Sequence, residues 1–147
     1  MDDNKSNAKA VAVDIKTSIL QDDDRQDFTF HESGNLVKVG DNLYLRFKEH
    51  QNGKEVAAVT LKITDEHVQL TRQDNVGHHS RLVFEKNKDH ETVYQTPYGP
   101  LKIEVRTKQL SFGYQESSQN GDLNIDYDLY SGDMMVGEYN ITLHFSA

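Results

Sequence analysis

The sequence contains no cysteine and no tryptophan. The first absence removes disulfides, thiol nucleophiles and thiolate metal sites together, and it fits a reducing cytoplasm. Positive charge is scarce: 16 Lys and Arg stand against 24 Asp and Glu, a net charge of -8. No basic patch breaks that balance, so binding to a nucleic-acid phosphate backbone is disfavoured as a main role. No apolar run reaches the length of a membrane-spanning helix. The start, Met1-Asp2-Asp3-Asn4-Lys5, is acidic and polar, and the apolar run at 8–13 is too short for a secretory signal. These absences describe a cytoplasmic protein that neither inserts into membranes nor binds nucleic acid.

Mean hydropathy is -0.76 and only 35% of residues are hydrophobic. A β-barrel tolerates this, because only alternate strand positions need be apolar. The alternation is there. Val11, Val13, Ile15 and Ile19 share one face, with Asp14, Lys16 and Ser18 on the other. Leu43, Leu45 and Phe47 alternate with Tyr44, Arg46 and Lys48; Ala57, Val59, Leu61 and Ile63 form a further face. Asp22-Asp23-Asp24, Gly40-Asp41-Asn42 and Ser131-Gly132-Asp133 mark turns, and Asn52-Gly53 is the strongest short hairpin signal. Gly34-Asn35 is expected to bend or bulge the second strand. Leu101, Ile103 and Val105 are out of phase with Leu110, Phe112 and Tyr114, which predicts a bulge near Thr107-Lys108-Gln109. Ile125 and Tyr127, then Ile141 and Leu143, complete the expected core.

Both prolines lie in Thr96-Pro97-Tyr98-Gly99-Pro100. Pro97 pre-sets φ at the second position of a turn and Gly99 suits the fourth. The chain therefore enters this corner extended, reverses, and leaves extended. About ten strands at short, even spacing, with no 3.6-residue period, predict an all-β fold: a single antiparallel up-and-down barrel of about 8–10 strands. A sandwich is the alternative. The domain is expected to span 8–147, with 1–7 as a flexible N-terminal segment.

The run Tyr94-Gln95-Thr96-Pro97-Tyr98-Gly99-Pro100-Leu101 resembles the YwiB-like family of small bacterial proteins. Tyr44-Leu45-Arg46-Phe47, Phe84-Glu85-Lys86 and Val136-Gly137-Glu138-Tyr139 stand in the expected order around it. The resemblance covers nearly the whole chain from about Ala8. It implies a calycin-like (lipocalin-like) barrel of cytoplasmic bacterial origin and no assigned activity or catalytic residue. The Gly-x-Trp signature of true lipocalins is absent.

The seven histidines are scattered, with no metal-ligand spacing, so neither metal nor cofactor is expected. Asp122-x-Asn124-x-Asp126 mimics a calcium loop, but the place of its turn-forming glycine holds Tyr127. No nucleophile setting appears, and no enzyme is expected. Arg46 and Arg81 each have two readings. They lie outside, paired with acidic neighbours, or they point inward, where a guanidinium needs an anion. Tyr94, Pro97 and Tyr98 line or rim the same candidate pocket. The first functional expectation is thus a non-enzymatic binder holding a small apolar or amphipathic, anionic ligand in the barrel interior. The second is a solidly packed barrel whose acidic outside meets a basic protein partner.

Overall fold

The computed structural model describes residues 8–147; the expected flexible segment 1–7 lies outside the described residues. Ten strands follow one another in chain order: β1 (Ala8–Gln21), β2 (Asp24–Val39), β3 (Asn42–Gln51), β4 (Lys54–Ile63), β5 (His67–Asp74), β6 (His79–Glu85), β7 (Asp89–Thr96), β8 (Gly99–Gln115), β9 (Asn120–Ser131) and β10 (Met134–Ser146). All ladders are antiparallel, in one sheet ordered β6-β5-β4-β3-β2-β1-β10-β9-β8-β7. The sheet curls into a nearly closed barrel. The first and last strands pair with each other, Val13 opposite Phe145 and Ile15 opposite Leu143.

The seam falls between β6 and β7 instead. They are joined by an isolated bridge, Glu85 to Lys88, and by two side-chain contacts. Thr92 Oγ1 donates to the Arg81 carbonyl at 2.6 Å, and His90 Nε2 lies 3.0 Å from Glu85 Oε1.

Turn chemistry explains the meander. Asp22 and Asp23 both have positive φ (49° and 65°), as do Asn52 and Gly53 (54° and 77°), which a two-residue type I′ hairpin requires at its central pair. At the proline corner Thr96 pairs directly with Gly99, so Pro97 and Tyr98 form the two-residue tip. Gly99 sits at φ 110°.

The expected core is the observed one. Val11, Val13, Ile15, Ala57, Val59, Leu61, Ile103, Val105, Ile125, Tyr127, Ile141 and Leu143 are all buried. They are joined by Leu36, Leu45, Phe47, Val68, Phe84, Leu123 and Phe145. Charged side chains such as Lys16, Arg46, Lys48 and Arg81 are exposed on the outer face, where a lipid-facing barrel presents an apolar band. The described residues contain no helix long and apolar enough to cross a membrane. The bulge expected in β8 is present, between Thr107 and Gln109. Of the bend or bulge expected at Gly34-Asn35, the bulge is absent: Gly34 pairs regularly with Val11 and Phe47. That glycine serves close approach, since a Cβ there would lie 2.7 Å from the Arg46 carbonyl oxygen. Beyond it β2 leaves β3, and Glu32 takes over as acceptor, receiving the His50 backbone N–H at 2.7 Å.

Candidate functional site

The barrel has two ends, and each is built by an irregularity in the sheet. At one end the β8 bulge reverses which residues face inward, so that Phe112 and Tyr114 turn into the barrel. Their rings lie 6.3 Å apart, and beneath them the fully buried Phe145 is stacked with Phe112 at 6.4 Å and tilted against Tyr114 at 6.0 Å. Facing them, Leu43 and Ile63 are cross-strand partners on β3 and β4. These four side chains, with Lys38, Asp41, Thr64 and Asp65 on the rim, line a cavity of about 470 Å³. The rim is fixed locally. Thr64 Oγ1 accepts the His67 backbone N–H at 3.1 Å and closes the β4–β5 connection. Lys38 Nζ lies 2.8 Å from Glu116 Oε1. That hydrogen bond holds the ammonium above its ordinary range and Glu116 below its own.

At the other end β1, β2, β8, β9 and β10, at 12 to 17 residues, outlast β4 to β7, at 7 to 10 residues. The inner face of the long strands is therefore left uncovered there. Register places Ile19, Phe28, Leu129, Tyr139, Leu101 and Tyr94 on it. Tyr139 stacks on Tyr127 at 5.1 Å and receives the Gln21 amide at 3.5 Å. Below this opening the wall from β2 to β5 is polar. Glu49 is buried and receives Arg72 Nε at 2.9 Å, while His50 Nδ1 lies 2.8 Å from Glu32 Oε1.

Burial raises the pKa of Tyr127 and, more weakly, of Tyr139, because the interior disfavours a phenolate. A group whose folded pKa is raised gives stability that is complete below its unfolded value and is lost above it. With an ordinary value of 10.0, stability should fall above about pH 10, by about 1.4 kcal/mol per pH unit for Tyr127. Urea midpoints between about pH 8 and 11 test this. Tyr127→Phe should flatten the fall, and an unchanged slope would mean that other groups govern it.

The residues singled out in the sequence divide. Arg46 and Arg81 are exposed on the outer face, so both point outward; the ion pairs with acidic neighbours expected of that reading are not seen among the described residues. Arg46 stands between the buried Leu45 and Phe47, and strand alternation alone sends it to the opposite face. Tyr94, Pro97 and Tyr98 come together at the open end, with Tyr94 on the inward register and Tyr98 fully exposed at the tip. The inward arginine is Arg72. It shares a face with the buried Val68 and the core-packed Leu70, a signal that was readable but is masked by the polar neighbours Thr71 and Gln73.

Five histidines are paired with carboxylates: His31 with Asp14, His50 with Glu32, His78 with Asp74, His90 with Glu85 and His144 with Asp122. No group of three or more metal-ligating side chains occurs among the described residues. In the calcium-like run, Asn140 Nδ2 donates to Asn124 and Asp126 across the outer face of β9 and β10. A shallower groove of about 300 Å³ lies on that outer face. At it the bulge residue Lys108 is held 3.1 Å from Asp128 and 3.6 Å from Glu138.

No curated protein matches the chain. Its fold is similar to the crystal structure of ywiB protein from Bacillus subtilis, with a TM-score of 0.80 and 18% sequence identity over 96% of this chain and 93% of that one. At that identity the likeness concerns the fold. Residues 13–143 match a family described as a domain of unknown function (DUF1934). The chain, a nearly closed ten-stranded barrel, thus belongs to the DUF1934 family.

Proposed function

We propose that the protein binds a small amphipathic molecule at the Phe112–Tyr114 mouth of the barrel and does not transform it. The cavity there carries this reading: about 470 Å³ lies within the range of small-ligand sites, and an apolar wall with a few polar rim groups is their usual lining. The mid-barrel is packed solid by Leu45, Leu61, Leu123 and Ile125, all at most 2% exposed. A ligand tail therefore rests against Leu43, Ile63, Phe112 and Tyr114 and goes no deeper.

The head group follows from the rim. Lys38 is a cation beside Asp41, Asp65 and Glu116, so a simple carboxylate meets more repulsion than attraction. A zwitterion satisfies both signs. Dodecylphosphocholine should accordingly displace Nile red from the protein below its micellar concentration, and dodecanoate should displace it more weakly. Phe112→Ala should weaken the zwitterion by about tenfold, the loss of one good apolar contact surface. Binding of neither amphiphile, or equal binding by wild type and Phe112→Ala, would remove the mouth as the site.

A further inference from the structure

The opposite, open end is a separate feature, and no part of the mouth reading bears on it. Its inner face leaves large apolar side chains in water. Phe28 is 42% exposed, Tyr94 43% and Leu101 40%. Tyr94 and Leu101 are cross-strand partners in the β7–β8 hairpin, Phe28 comes from the distant β2, and register turns all three to the inner face at the open end. Several large apolar side chains exposed at one end differ from the single scattered ones normal for a protein surface.

The rim around it is acidic. The β1–β2 tip carries Asp22, Asp23 and Asp24, and the β9–β10 turn carries Asp133. None of the four has an ion-pair partner among the described residues, whereas Asp27 nearby is paired with Arg25 and Lys16. Four uncompensated carboxylates around an uncovered apolar surface are complementary to one chemistry: alternating apolar and cationic side chains.

We infer that the open end docks a basic, amphipathic segment of a partner polypeptide, its apolar side chains on Phe28, Tyr94 and Leu101 and its lysines or arginines against Asp22, Asp23, Asp24 and Asp133. Two features favour a polypeptide over a small molecule. The apolar surface is open on one side and does not enclose a ligand, and the carboxylates sit on two separate hairpin tips. A chain with spaced cations reaches both tips at once.

A fluorescein-labelled fourteen-residue peptide of leucine and lysine, patterned as an amphipathic helix, serves as the probe in fluorescence anisotropy. The wild-type protein should bind it at low salt, and affinity should fall at least about tenfold when salt is raised to several hundred millimolar. Asp22→Asn, Asp23→Asn, Asp24→Asn and Asp133→Asn combined should cost at least about tenfold, with asparagine tolerating the positive φ of the turn. Phe28→Ser with Leu101→Ser should cost a similar factor at unchanged circular dichroism and thermal midpoint, since both positions are exposed. The proposal is overturned if the serine/lysine analogue binds as tightly as the leucine/lysine peptide, because charge alone would then suffice. It is overturned equally if either variant keeps wild-type affinity, or if the protein alone sediments as a dimer that buries Phe28 against a second copy. Attachment to anionic phosphatidylglycerol vesicles in place of the peptide would also overturn it.

Discussion

Replacing Phe84 by alanine should lower the unfolding free energy by about 3–5 kcal/mol, the cost of a large cavity in a close-packed interior. Phe84 is 0% exposed, and its ring centroid lies 4.6 Å from that of Tyr127 with the planes tilted at 54°. Its position gives it a second role. Phe84 stands on β6, next to the seam, and Tyr127 on β9 across the interior. Because β6 and β7 share no ladder, the ring contact ties the two sides of the sheet where backbone hydrogen bonds do not. The variant should therefore lose hydrogen-exchange protection first in β5 and β6, while β9 and β10 keep theirs. Phe28→Ala, at the exposed rim, should cost less than about 1 kcal/mol. Equal losses in the two variants, by urea unfolding, would show that the interior does not discriminate them.

Gly121→Val should be nearly as damaging, at about 3 kcal/mol, for the opposite reason: too much volume. A Cβ at Gly121 would collide with the Phe145 ring, and that ring is fully buried beneath Phe112 and Tyr114. It has no free space to enter. Shrinking the obstacle should recover part of the loss, so Gly121→Ala should be better tolerated with Phe145→Leu than without it. This coupling is what a double-mutant cycle measures for residues in contact. Additive effects would show that the two positions do not share the space.

Much of this architecture was readable from the chain because strand alternation is a local property. The twelve expected core residues need only period 2 and a buried face, and the break in period between Val105 and Leu110 located the β8 bulge by itself. Asn52-Gly53 and Pro97-Tyr98 gave their turns through backbone preferences of one or two residues. What stayed hidden depends on how strands are staggered against distant neighbours. No local pattern says that β2 joins β3 only from Gly34 onward or that five strands outlast the others. None says that the sheet parts between β6 and β7 while its first and last strands pair. The open end is a product of that stagger, whereas the mouth follows from the β8 bulge. Arg46 looked special because it sits among apolar residues, yet in a one-faced strand that setting is what directs it outward. Arg72 looked ordinary in a polar run, yet its register with Val68 and Leu70 carries it to the inner face.

The placement of the seam also makes the polypeptide divisible. β1 to β6 form one continuous meander and β7 to β10 another, and every ladder within each is made by strands adjacent in sequence. The two halves are held side by side through β1 and β10, by nine residue pairs from Ala12 opposite Ser146 to Leu20 opposite Glu138. The peptide link between them, the turn around Asn87, supports no ladder. A cut there would sever no ladder of the barrel. Reassembly of the two resulting fragments would zip β1 onto β10 and close the Phe84–Tyr127 contact across the interior.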